Sequence, residues 1–109
     1  MNFEEYQSLA KRTAKYPDIK ERFVYPMLGL SGEAGEVANK VKKIFRDDGG
    51  IVKEERKEEI KNELGDLLWY ISQLAGDLGM SLDDIAVSNI EKLSKRFENN
   101  TIKGDGDNR

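Results

Sequence analysis

The chain has 109 residues, 36% of them charged and 38% hydrophobic, with a net charge of −3, two prolines and neither histidine nor cysteine. That length supports one domain around a single core, and the mild, interspersed charge points to neither a nucleic-acid nor a membrane surface. The missing residue types exclude a disulfide scaffold and a Glu-x-x-His di-iron centre, and they point away from zinc, copper and haem.

No apolar run approaches the roughly 20 residues of a transmembrane helix. The start Met1-Asn2-Phe3-Glu4-Glu5 lacks the basic and apolar regions of a secretory signal, so the expected compartment is the cytoplasm.

Phe3, Tyr6, Leu9 and Ala10 recur at helical spacing, so a first helix is expected from Asn2 to about Ala14, with Asn2 as its cap and Glu5 reaching back as a capping box. Lys15 to Phe23 has a proline, two aromatics and no clear period; it reads as a loop and as the candidate lid. A second helix begins near Tyr25, with Pro26 in its first turn, and runs to about Arg46, where Asp47-Asp48-Gly49-Gly50 stops it. Leu30, Val37, Val41, Ile44 and Phe45 are its expected buried side, while Lys40, Lys42, Lys43 and Arg46 complement the dipole of its last turns.

A third helix spans about Lys53 to Leu78, charged at first and apolar from Ile60 onward, with Leu64, Leu67, Leu68, Ile71, Leu74 and Leu78 as its stripe and Gly79 placed to end it. Ser81 caps a fourth helix whose inner face is Leu82, Ile85, Ala86, Ile90, Leu93 and Phe97, ending near Glu98. Residues 1–98 thus read as one all-α domain, a four-helix bundle with short connections, and residues 99–109 as a tail that is frayed or ordered by a ligand. The second and third helices are long for the core one copy supplies, so a partner chain is expected to complete the bundle.

The second helix carries Glu33 and Glu36, and the third carries Glu63 and Asp66, each pair spaced to share one helix face. Packed face to face, the two helices would bring four carboxylates together. Like charges about 5 Å apart at an effective dielectric near 20 repel by on the order of 3 kcal/mol per pair, which only protons, water or cations relieve. Oxygen-only donors suit Mg²⁺ or Mn²⁺. Glu55 and Glu58 show the same spacing on a charged stretch, so spacing alone says little. Glu33, Glu36, Glu63 and Asp66 differ in standing among glycines and large apolar residues, where an acid is costly without a role. Gly32, Ala34, Gly35 and Gly65 are expected to admit the close approach of a backbone, a metal or a ligand. Glu59, one turn before Glu63, is a candidate further ligand or an acid supporting the ligands.

Glu33-Ala34-Gly35-Glu36 and Glu63-Leu64-Gly65-Asp66, separated by 26 residues, resemble the Glu-x-x-Glu and Glu-x-x-Asp motifs of the all-α nucleoside triphosphate pyrophosphohydrolases, in the MazG-like branch. The likeness extends to Tyr25-Pro26-Met27-Leu28-Gly29-Leu30 and to Asn89, Lys92 and Arg96, and it covers nearly the whole chain, from about Phe3 to Gly104-Asp105-Gly106-Asp107. It implies the four-helix fold of that superfamily, working as a homodimer or homotetramer. It also implies cleavage of a nucleoside triphosphate between the α and β phosphates to the monophosphate and pyrophosphate, in housekeeping of the nucleotide pool.

The resemblance implies Mg²⁺, with Mn²⁺ as substitute, held by Glu33, Glu36, Glu63 and Asp66, one of which orients or deprotonates the attacking water. Asn89, Lys92 and Arg96 are then expected to hold phosphate oxygens or neighbouring carboxylates; Asn89 falls inside the apolar stripe of the fourth helix, where an amide needs a partner. Tyr70, one turn after Asp66, is the first candidate for stacking on the base, with Tyr6, Tyr16, Phe23, Tyr25 and Trp69 as alternatives and Gln7 as a candidate for polar selection. The rival readings are a non-catalytic nucleotide-sensing or helical interaction module, and a related hydrolase acting on another conjugate such as phosphoribosyl-ATP.

Overall fold

Four helices make up the regular structure of the computed structural model, which describes residues 1–17, 21–99, 104 and 107. They are α1 (Phe3–Lys11), α2 (Val24–Asp47), α3 (Glu54–Asp77) and α4 (Leu82–Glu98), with no strand among the described residues. Their ends follow local chemistry. Asn2 Oδ1 accepts the Glu5 N–H at 2.8 Å while Asn2 Nδ2 donates to Glu5 Oε1 at 2.9 Å, a side-chain form of the expected reciprocal cap. α1 stops short of Ala14 because the N–H groups of Arg12, Thr13 and Ala14 bond to carbonyls three residues back, tightening the last turn off the α path.

α2 and α3 match the expected spans to within one residue at each end. Gly49 and Gly50, at φ 61° and 82°, turn the chain out of α2. Gly79, at φ 75°, does so after α3, where the Met80 N–H bonds to Ala75 O at 2.8 Å in a Schellman closure. Ser81 Oγ accepts the Asp84 N–H at 3.1 Å and starts α4 as expected.

α2 and α3 lie along one another. Gly29 faces Tyr70, Glu33 faces Glu63 and Asp66, Lys40 meets Glu59, and Asp48 meets Arg56. Numbers rise on one helix as they fall on the other, so the pair is antiparallel. α1 crosses α3, where Trp69 Nε1 donates to Thr13 Oγ1 at 2.7 Å. α4 is fastened to α1 at its start: Gln7 Nε2 donates to Met80 O at 3.0 Å, and Gln7 Oε1 accepts the Leu82 N–H at 3.1 Å.

The expected bundle does not close within one chain. α4 packs on α1 and shares no extended face with α2 or α3, and the radius of gyration, 16.9 Å, exceeds the roughly 13 Å of a compact chain of this length. The core is correspondingly small, with Ala10, Tyr16, Ile44, Ala75 and Leu82 as its buried hydrophobic residues. Val41, Phe45, Leu64, Leu78, Ile85, Ile90, Leu93 and Phe97, all expected to face inward, are exposed instead, Phe97 by 76%. A helical period identifies an apolar face, but it does not require that the same chain cover it. Among the described residues no helix is long and apolar enough to cross a membrane.

Candidate metal centre

The antiparallel register of α2 and α3 sets Glu33 opposite the turn that carries Glu63 and Asp66. One carboxylate oxygen from each of the three lies within 4.8 Å of the others. Glu33 and Glu63 are half-buried and Asp66 is exposed. Three anions at this separation repel strongly, and the protein relieves part of that by keeping one of them protonated. The Glu33 carboxyl is pushed up to about 7, first by burial, then by its hydrogen bond with Glu63, and then by the charges of Asp66, Glu63 and Glu36. Oxygen donors alone, with no nitrogen or sulfur nearby, fit Mg²⁺ or Mn²⁺.

Glu36, expected as the fourth ligand, is exposed and is not one of the three converging acids, although its charge is felt at Glu33. Glu59, considered as a further ligand, is engaged elsewhere: Arg56 Nη1 donates to its Oε2 at 2.9 Å and Lys40 Nζ stands 3.5 Å away.

An aromatic cluster adjoins the acids. The Tyr70 hydroxyl is raised by burial and then by Tyr25, Glu33 and Asp66, and that of Tyr6 by burial and then by Asp66, so both rings lie near the centre. Tyr70 is the candidate base platform, but its ring is set against the Gly29 backbone, where an added methyl would overlap it, and edge-on to Trp69 at 5.1 Å. Gly29 is therefore the glycine that permits close approach. Gly32, Gly35 and Gly65 have open space where a side chain would begin, so among the described residues no other part of the chain makes the close approach expected there.

The described flanks of the candidate lid are tied down, residues 18–20 lying outside the described part. Tyr16 is stacked on Tyr25 with ring centres 5.0 Å apart, and its hydroxyl donates to Asp77 Oδ2 at 2.6 Å. Arg22 covers the Tyr16 ring at 4.6 Å and lies 3.5 Å from Asp77. Asp77 as this anchor has no signal in the sequence, because its partners come from a stretch without periodicity. Gln7, a candidate for polar selection, spends both amide ends on the α3–α4 turn.

The α4 candidates are carried on a different layer from the acids, since α4 rests on α1. Asn89 is exposed rather than enclosed in the apolar stripe, and with Lys92 it lines a shallow groove of about 480 Å³. Arg96 is buried, and both it and Lys92 bind Asp107.

Residues 25–101 match the family model described as the MazG nucleotide pyrophosphohydrolase domain, a span that includes every candidate acid and the α4 set. The Gene 37 protein of Mycobacterium phage L5 is 44% identical over 114 aligned residues, covering 100% of this chain and 100% of its own. YvdC of Bacillus subtilis (strain 168), an uncharacterized protein, is 40% identical over 74 residues, covering 63% of this chain and 70% of its own. Neither name states an activity. No solved structure gives a significant match.

Proposed function

The chain belongs to the MazG nucleotide pyrophosphohydrolase domain family, and on that premise we propose that it hydrolyses a nucleoside triphosphate between the α and β phosphates, releasing the monophosphate and pyrophosphate. The observation that supports this most is the convergence of Glu33, Glu63 and Asp66 within 4.8 Å, an arrangement costly for packing alone and well matched to a hard divalent ion. These three side chains would hold Mg²⁺, or Mn²⁺ in its place. Such an ion, when bound, neutralises the carboxylates toward a polyanion and acidifies a water.

Glu36, exposed beside the trio, is the acid left to orient the attacking water and take its proton. Attack at phosphorus breaks the α–β anhydride, and Lys92 and Arg96, with the Asn89 amide, offer donors to the phosphate oxygens. Because α4 stands off the α2–α3 seam, that role calls for a second copy. The exposed face of Ile90, Leu93 and Phe97 is the surface on which a homodimer would pack, and a homotetramer repeats the principle. Tyr70 borders the acids and contributes to the wall beside the base.

Incubation of the purified protein with each ribo- and deoxyribonucleoside triphosphate and Mg²⁺, followed by product separation, is expected to yield monophosphate and pyrophosphate. Diphosphate and orthophosphate would overturn the bond assignment. Nucleotide binding without product would favour a sensing module, and turnover of phosphoribosyl-ATP alone would reassign the substrate.

A further inference from the structure

We propose that Asp107 is a tethered competitor for the oxyanion site on α4, and so determines how tightly the protein holds phosphate. This rests on the proposed role of Lys92 and Arg96 as phosphate-binding residues. Arg96 is only 5% exposed, and an enclosed guanidinium is costly without an anion. Asp107 is an anion placed against it. Arg96 Nη2 donates to the Asp107 carbonyl oxygen at 2.9 Å and to its Oδ1 at 3.2 Å, and Lys92 Nζ donates to the same Oδ1 at 3.1 Å. One carboxylate oxygen thus sits between two cations, the place a phosphate oxygen would take.

The two ends of this contact are unequal. Arg96 is fixed within α4, whereas the Asp107 side chain is 81% exposed and can be exchanged without opening the fold. Beside the pair, the groove lined by Asp84, Ser88, Asn89 and Lys92 has room for an anion larger than a carboxylate. A competitor on the same chain acts at high effective concentration. It weakens every anion by one common factor, the fraction of time the site is free, and it returns as a leaving anion departs.

The test is calorimetric titration of the full chain, in EDTA, with orthophosphate and with pyrophosphate, comparing the unaltered protein with Asp107→Asn and Lys92→Ala. Asp107→Asn is expected to bind both anions more tightly by the same factor, about two- to sixfold, as release of an exposed ion pair implies, with helicity unchanged. Lys92→Ala is expected to weaken both. Unchanged or weaker binding in Asp107→Asn, with Lys92→Ala still weakened, would overturn the competitor and make Asp107 a positioning residue for the cations. No anion binding by the unaltered protein and Asp107→Asn alike, or no effect of Lys92→Ala, would remove the phosphate role of α4 and the competitor with it.

Discussion

Glu33 holds its proton to about pH 7, against an ordinary 4.5, because burial, then the Glu63 hydrogen bond and the nearby acids, disfavour the anion. The folded state therefore takes up a proton that the unfolded chain has released. Stability from this source is full below about pH 4.5, falls as pH rises toward about 7, and is flat above. The full shift corresponds to about 3 kcal/mol, and solvent screening at this half-exposed group reduces the expected loss for the metal-free protein to on the order of 2 kcal/mol, read as urea midpoints across pH in EDTA. Glu33→Gln should flatten that slope; an unchanged slope would place the titration on another group. Gly29 is a second point where one atom decides. Ala there gains about 1 kcal/mol of helix propensity but must displace the Tyr70 ring, so Gly29→Ala is expected to destabilise by about 1–3 kcal/mol net. A neutral or stabilising result in a denaturation curve would show that the ring moves freely. That Glu33, Glu63 and Asp66 would meet was legible from acid pairs set among glycines and apolar residues on two neighbouring helices, whereas that Glu36 would stand outside the trio was not. Gly29 was not, because its importance comes from Tyr70 on another helix.

Between residues and whole molecule stand the helices, whose ends were legible wherever the signal was local: Pro26 in a first turn, Gly49-Gly50 and Gly79 at positive φ, Ser81 at a cap. The end of α1 was less so, since Thr13 answers to Trp69 from α3 as well as to its own turn. What no periodicity could give is where α4 would lie. Its seat depends on Gln7, a single polar side chain on α1 that satisfies Met80 O and the Leu82 N–H together. Gln7→Leu leaves both without that partner and is expected to cost about 1–3 kcal/mol. Hydrogen exchange should then accelerate in α4 and leave the α2–α3 seam protected. Acceleration of equal size in all helices would mean that α4 is not a separately held element.

For the molecule as a whole, the open shape and the bare α4 face belong together. A chain with Ile90 62% and Phe97 76% exposed on one helix leaves a surface that monomers rarely keep. Sedimentation equilibrium is expected to show a dimer or tetramer, and Ile90→Glu with Phe97→Glu is expected to yield monomers that keep their helicity. An oligomer indifferent to both substitutions would place the interface elsewhere. The all-α class could be read from the sequence because each helix carries its own period, whereas the seat of α4 on α1 and away from the α2–α3 seam could not, because a helical period marks an apolar face without saying what lies against it. The proposed activity rests on a narrower point, that acids from α2 and α3 would share a divalent ion. Mn²⁺ titration followed by electron paramagnetic resonance tests this most directly, on the unaltered chain and on Glu63→Gln/Asp66→Asn. The expected result is saturable binding in the first and a loss of about tenfold or more for each carboxylate removed in the second; equal Mn²⁺ affinity in both proteins, or none in either with helicity intact, would contradict it.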